Sequence, residues 1–397
     1  MLSNGSASLG WSAASNAFTA GHAAARLAAQ RLGPRRAQGA IVFGSSWFDQ
    51  VQLLAGVRSV FEAIPVVGGS TAGEIVPEGT MSHSCIVLAV ADEHVALTVG
   101  VGRNLRDNPR LAGYHAAQQA VRQFNGKPRS GLVLFGDGLL TGYADVVRGI
   151  QEVLGTSSLT TGGLMADDLR FSRTYQYAND EVLTQSVVGL LFGGAYVIGV
   201  GLDHGFAPIS KPRHVTRAHT NVIDELDGQP ALSVYQEYFG RAVMDPGAEG
   251  LTRRLLAYPL GISLDSPREF LLRNVMGLGA NGSLVCSGEM PEDSMVQLMV
   301  GSKELVLEAA ARAAERAIQP VPKLRFVLVF DSVSRKQLLG REAHQDIVRI
   351  RQVIGSSTPL IGCYTYGEHA LLGSSHSSAS TSVQTGSILV IAVGVQE

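Results

Sequence analysis

The chain has 397 residues, a formal net charge of -2 and 45% hydrophobic residues. At about 100–200 residues per domain that is two domains or three, and a composition this apolar excludes a disordered chain. The charge balance leaves no basic surplus for a phosphate backbone, so nucleic-acid binding has no electrostatic basis.

The alanines and leucines of Ala13–Leu32 recur at helical spacing and predict a first helix. A short apolar strand follows at Ala40–Phe43. The next helix is predicted over Gln50–Ala63, with Val51, Leu54, Val57 and Phe61 on one face and Pro65 marking its end. Val66-Val67 then leads into what reads as a tight turn, Gly68-Gly69-Ser70-Thr71-Ala72-Gly73-Glu74. Two strands, Cys85–Val90 and Val95–Val101, are expected to close the unit as a pair.

The order then repeats. Asn108 and Pro109 are an N-cap and first-turn proline for a helix through Phe124. Strand Leu132–Phe135, helix Tyr143–Leu154 and the turn Gly162-Gly163-Leu164-Met165-Ala166-Asp167-Asp168 follow. Strands Ser186–Phe192 and Ala195–Gly201 close this unit. After a dissimilar region, Leu202–Gly301, a third unit has helix Ser302–Ile318, strand Arg325–Phe330 and helix Glu342–Ile354. Its turn is Gly362-Cys363-Tyr364-Thr365-Tyr366-Gly367-Glu368, and its final strand is Ser387–Val395.

These patterns predict an α/β fold of repeated helix-strand-helix-strand-strand units, with mixed sheets covered by helices as a layered sandwich in two domains. The domain boundary is expected near residues 205–225. Each turn sets glycine beside a buried strand and ends in a carboxylate, which suits either a structural turn or a polar ligand.

Cys85, Cys286 and Cys363 are odd in number and far apart, which argues against a disulfide framework and for a reducing compartment. The N-terminal stretch lacks a basic n-region with a continuous apolar run. No stretch approaches the roughly 20 apolar residues of a membrane span. The expected location is therefore the cytoplasm, with no membrane partner.

At Pro65–Ile75, Thr161–Asp168, His204-Gly205-Phe206, Val215-Thr216-Arg217, Glu225–Ala231 and Pro359–Glu368 the chain resembles the FIST family, a bacterial sensory module with N-terminal and C-terminal parts. The resemblance places the N-terminal domain at 35–210 and the C-terminal domain at 220–397. It implies a cytoplasmic sensor that binds a small ligand, an amino acid or similar metabolite, and signals through a separate protein such as a histidine kinase or chemotaxis partner. Some members look like haem proteins that sense nitric oxide and regulate a histidine kinase. Two positions depart from the family pattern. Phe330-Asp331-Ser332-Val333-Ser334-Arg335 has lost a cysteine the family carries and kept its arginine, and Cys363 stands where an aromatic residue is usual.

Arg335 is the candidate to grip a ligand carboxylate. Thr365, Tyr366 and Glu368, with Thr71 and Glu74 of the first turn, are candidates for an ammonium or other polar head. A structural pair between Arg335 and Glu368 is the alternative. For haem b, bound without covalent attachment, His204 is the first candidate axial ligand, with His214 and His219 nearby. An enzyme is not expected. Gly68-x-Ser70-x-Ala72 approximates a hydrolase's nucleophile elbow, but its last glycine falls one place late and no base can be assigned. Asp137, Asp167 and Asp168 make no convincing metal set.

Overall fold

The computed structural model describes residues 5–92, 95–124, 126, 128–242, 245, 251–264, 270–370 and 382–396. The first unit runs β1 (Ala7–Ser12), α1 (Ala17–Leu32), β2 (Gly39–Ser45), α2 (Gln50–Arg58), β3 (Val66–Thr71), β4 (Glu74–Val76), β5 (Gly79–Met81) and β6 (Cys85–Val90). The second runs β7 (Val95–Gly102), α3 (Pro109–Arg122), β8 (Arg129–Asp137), α4 (Tyr143–Leu154), β9 (Thr160–Met165), β10 (Gln176–Ala178), β11 (Glu181–Leu183) and β12 (Val187–Gly194).

The third opens with β13 (Tyr196–Asp203) and is then interrupted. The insert holds β14 (Phe206–Pro208), β15 (Arg213–His219), β16 (Val222–Leu226), β17 (Gln229–Pro230), α5 (Leu232–Phe239), α6 (Leu251–Ala257), β18 (Leu260–Ser263), β19 (Phe270–Arg273), β20 (Val275–Leu278), β21 (Leu284–Cys286) and β22 (Met295–Gly301). The unit resumes with α7 (Lys303–Ile318), β23 (Lys323–Ser332), α8 (Val333–Leu339), α9 (His344–Ile354), β24 (Leu360–Thr365), β25 (Gly367–Ala370), β26 (Ser382–Gln384) and β27 (Ile388–Val395).

The fold is α/β with mixed sheets covered by helices, as the sequence implies. In each unit the second and third strands run parallel and the last strand is antiparallel to the second. The sheets have the orders β1-β6-β2-β3-β10-β11, β7-β12-β8-β9-β25-β26 and β13-β27-β23-β24-β4-β5. Each sheet therefore ends in a hairpin lent by the following unit, and the first unit lends its hairpin to the third. The exchange closes a ring.

Strand alternation explains the layers. Ile41 and Phe43, Val133 and Phe135, and Phe326, Leu328 and Phe330 point into one core shared by the three sheets. The intervening Val42, Leu134, Val327 and Val329 pack under the helices of their own units. At the centre Phe43, Phe135 and Phe330 form a triangle with ring centroids 6.1, 6.0 and 5.8 Å apart. The insert has its own nine-stranded sheet and its own core around Val215, Ile223, Leu260 and Leu298.

The alanine-rich helices have a packing reason. A Cβ at Gly100 would lie 1.8 Å from the Ala116 carbonyl oxygen of α3, and one at Gly201 1.8 Å from that of Ala313 in α7. Glycine on the strand and alanine on the helix let the two backbones approach closely. Asn16, Asn108 and Ser302 cap α1, α3 and α7 through their side chains, the last two where the sequence places helix starts.

Four expectations change. The supposed closing pairs are not hairpins: β6 lies in the first sheet and β7 in the second, β12 in the second and β13 in the third. Each second member of these pairs is the opening strand of the next unit, which local patterning cannot show. The opening strand of unit one, Ala7–Ser12, escaped sequence reading altogether. The Gly-Gly segments lie inside strands β3 and β9 rather than in turns; a Cβ at Gly68 or Gly162 would fall 1.8 or 2.1 Å from the facing strand's carbonyl oxygen. In α2 the buried residues are Gln50, Leu53, Leu54, Gly56 and Val57; of the expected face Leu54, Val57 and Phe61 are buried, while Val51 faces solvent.

Candidate functional site

The three repeated segments meet at the C-terminal ends of the parallel strands. The N–H of Ala166 donates to the Ser70 carbonyl at 3.1 Å, that of Tyr366 to Leu164 at 3.0 Å, and that of Ala72 to Tyr364 at 3.1 Å. Equivalent positions are used each time, so the units close a hydrogen-bonded ring.

The acid at the end of each segment then meets a different fate. Glu74 accepts from the Thr71 hydroxyl at 2.5 Å and from the Ser84 hydroxyl at 2.6 Å. Glu368 accepts from the Thr365 hydroxyl at 2.7 Å and from the Ser387 hydroxyl at 2.6 Å. Both glutamates are fully buried. Burial pushes the Glu74 carboxyl up to about 7 and that of Glu368 up to about 8, against the opposing pull of their hydroxyl partners. Met165 replaces the threonine in the second unit. Asp168, without that hydroxyl, turns outward and accepts from Ser46 Oγ at 2.7 Å.

The sequence-derived site residues accordingly divide. Thr71, Glu74, Thr365 and Glu368 are brought to one end of the molecule, but as two internal networks with no exposed surface. Arg335 is also fully buried. It pairs with Asp331 at 2.8 Å and Asp346 at 2.9 Å and donates to the carbonyls of His204 and Val306. Its ion-pair partners are thus these aspartates rather than Glu368. Ser70 also turns inward, donating to the Ala166 carbonyl at 2.8 Å. Tyr366 alone of the six ligand candidates keeps partial exposure.

Around Tyr366 lies a surface loop that sequence reading missed. Asp167 accepts from the amides of Phe171, Ser172 and Arg173 at 3.0, 2.8 and 2.8 Å and from the Tyr366 hydroxyl. Burial opposes ionisation of Asp167, but these donors outweigh it and hold its pKa below the usual carboxylate range. The loop they brace is strained: Asp168, Leu169 and Phe171 have φ of 55°, 61° and 50°. Left-handed backbone at bulky non-glycine residues costs roughly 1–3 kcal/mol each and persists only where surrounding contacts enforce it. Arg170 is fixed by donating to the Ser46 carbonyl at 2.9 Å, with its guanidinium 5.1 Å from the Trp47 ring centre. The Phe171 ring stacks on Tyr366 at 4.9 Å.

Lys336 on α8 completes the surface. Its Nζ donates to the Ala72 carbonyl at 2.6 Å and lies 4.7 Å from the Tyr364 ring centre. Burial lowers its pKa, while the Asp168 and Glu74 charges oppose that shift. Among the described residues neither Lys336 nor Asp168 has an ion-pair partner within 4.0 Å. The site therefore offers one acid, one ammonium group and several aromatic faces drawn from all three units. The sequence did carry a signal: Met165 and Asp168 break the Thr-x-x-Glu pattern of the other two repeats.

His204, the first candidate, does not fit an axial haem ligand. His204 Nδ1 accepts the Phe206 amide at 2.9 Å, which puts the neutral ring's proton on Nε2 and closes both nitrogens to iron. Burial lowers its pKa to about 4, so neutral imidazole is the form present. His214 Nε2 faces Asp293 at 3.3 Å, and exposed His219 bonds Asp224 through Nδ1 at 3.1 Å. Among the described residues no group of three or more His, Cys, Asp or Glu stands close enough to hold a metal ion. No described helix is long and apolar enough to cross a membrane.

The FIST N domain model matches residues 38–229 and the FIST C domain model residues 231–370. An uncharacterized protein of Mycobacterium tuberculosis is 30% identical over 219 residues, covering 52% of this chain and 55% of its own. An uncharacterized protein of Methanocaldococcus jannaschii is 36% identical over 95 residues, covering 23% of this chain and 19% of its own. The chain thus spans about half the length, or less, of these curated relatives. Among solved structures, cyanuric acid hydrolase from A. caulinodans aligns over 98% of this chain and 99% of its own, with 11% identity and a TM-score of 0.36. PurLQS from Thermotoga maritima aligns over 99% of this chain and 73% of its own, with 10% identity and a TM-score of 0.23. Structural likeness this low carries no argument about chemistry.

Proposed function

This chain belongs to the FIST family, and on that premise we propose that it is a sensory protein that binds a small zwitterionic metabolite of the amino-acid type, without turnover. The observation that carries the reading is that Asp168 and Lys336, close enough for the acid's charge to act on the lysine, both lie where the three units meet, each without an ion-pair partner within 4.0 Å among the described residues. A carboxylate suits a ligand ammonium, and a lysine ammonium suits a ligand carboxylate. The binding groups move accordingly from Arg335 and the buried glutamates to Asp168, Lys336, Ser46 and Tyr366. Binding rather than catalysis fits because the Thr71, Thr365, Glu74 and Glu368 side chains beside the ring are engaged in internal bonds, which leaves no activated nucleophile with a base and orienter there among the described residues. The output passes to a separate protein, with a histidine kinase or chemotaxis protein as the class to test.

Calorimetry against common amino acids and their decarboxylated and deaminated analogues tests this. A zwitterion should bind, and losing either of its charges should cost about tenfold in affinity or more. Lys336→Ala and Asp168→Ala should reproduce those losses selectively, the first for the carboxylate and the second for the ammonium. Equal binding of the analogues would remove the zwitterion reading.

A further inference from the structure

Trp47 and Phe171 are large aromatic side chains left 60% and 52% exposed, the first next to Ser46, which bonds Asp168, and the second three residues on from Asp168. Scattered apolar residues on a surface need no explanation. These two differ because their surroundings hold them rigidly in water. The Trp47 ring has the Arg170 guanidinium at 5.1 Å and the His83 ring edge-on at 5.3 Å. Phe171 has Tyr366 stacked behind it, their planes 16° apart. The intervening backbone is the strained run from Asp168 to Phe171, enforced by the Asp167 carboxylate. Folding energy is being spent to present these rings rather than to bury them.

We propose that the ligand carries a planar ring, which packs against the Trp47 and Phe171 faces while Asp168 and Lys336 take its charged groups. The inference rests on the reading of this surface as a small-ligand site and names the ligand's side-chain class. An aromatic face favours a flat partner over an aliphatic chain through stacking geometry and polarizability. Holding both rings in place beforehand removes the ordering cost that a mobile side chain would impose on binding. The arginine on Trp47 adds a cation whose planar guanidinium is itself a stacking surface.

The chain contains two tryptophans, Trp11 and Trp47, so Trp11→Phe leaves Trp47 as the sole indole reporter. That variant is titrated with L-phenylalanine, L-tyrosine and L-histidine, and in parallel with L-leucine and L-glutamine. Ring-bearing members should shift or quench Trp47 emission saturably and bind about tenfold more tightly than L-leucine. Trp47→Leu and Phe171→Leu, both at exposed positions, should erase that preference without altering the unfolding midpoint, with affinity read by calorimetry. If L-leucine binds as tightly as L-phenylalanine, or if saturation leaves Trp47 emission unmoved, the ring inference is wrong while the zwitterion site survives. If no amino acid of the panel binds, both readings fail.

Discussion

Ser46 Oγ donates to Asp168 Oδ2 at 2.7 Å, joining residues 122 positions apart in sequence. The bond links the end of β2 in the first unit to the turn of the second. The equivalent position in the third unit is Val333; three residues further on, the Lys336 Nζ reaches the Ala72 carbonyl of the first unit at 2.6 Å. The second unit's strand end instead has Gly138, where an added Cβ would lie 2.9 Å from the Tyr366 Cβ. Beyond the three strand ends the units thus make different contacts: a hydroxyl–acid bond from Ser46, a close backbone–aromatic packing at Gly138 and a lysine–carbonyl bond from Lys336. That divergence is what makes the surface chemically asymmetric.

Removing the brace of the strained loop separates its shape from its stability. Asp167→Ala deletes the acceptor for three backbone amides and the Tyr366 hydroxyl. The left-handed residues can then relax, which offsets part of the lost bonding. The expected result is a loss of about 1–3 kcal/mol in stability by urea denaturation. Amide exchange at residues 168–173 should quicken and ligand affinity should collapse. Unchanged exchange there would show that other contacts hold the loop.

The two buried glutamates make stability depend on pH in a defined direction. Burial holds their folded-state pKa values at about 7 and about 8, against an ordinary value of 4.5. Below 4.5 both folded and unfolded states hold the protons, and their stabilising contribution is complete. As pH rises, the unfolded chain releases these protons first, so the contribution declines until the folded values are passed. The Glu74→Gln, Glu368→Gln variant should therefore lose less stability than wild type between pH 5 and pH 9, measured as the urea midpoint. Identical pH profiles would show that the carboxyls are ionised in the fold.

Arg335 predicts a large structural effect. Among the described residues it is the one ion-pair partner of Asp331 and Asp346, and all three side chains are fully buried. Burial raises both aspartate pKa values, with the arginine charge opposing that shift. Arg335→Ala should cost about 3–5 kcal/mol, because it strands buried carboxyl groups. Arg335→Lys should rescue little, since one ammonium cannot reproduce the fork that also serves the His204 and Val306 carbonyls. Wild-type stability in Arg335→Ala would place the arginine outside the packing core and restore it as a ligand candidate.

The hairpin exchange predicts that the first two units do not stand alone. A fragment of residues 1–203 lacks β24, the partner of β4, and lacks β25, the partner of β9. It also loses Phe330 from the central aromatic triangle. The fragment should be poorly soluble or lack a cooperative thermal transition in circular dichroism. A sharp transition near that of the full chain would show that the third sheet is dispensable.

Much of this was legible in the residues. Asn108, Pro109 and Ser302 marked helix starts, and the apolar alternation of Val133 and Phe135 or Leu328 and Phe330 marked strands. The likeness of Gly68–Glu74, Gly162–Asp168 and Gly362–Glu368 revealed a repeat. Those signals are local, because helix capping and strand alternation depend on neighbours a few residues away. The strand partner of β6, the destination of β4 and β5, and the ion-pair partners of Arg335 are long-range choices. They depend on which apolar faces bury one another, and hairpin strands of three residues carry too little pattern to declare their sheet. The sequence by itself determined three α/β units, their order and the acid that ends each repeat. Only the tertiary structure decided that two of those acids are sealed inside and that Asp168 turns outward, because Glu74 is covered by pairing with β24, Glu368 by pairing with β9 and Asp168 is held by Ser46, in each case a segment more than a hundred residues away.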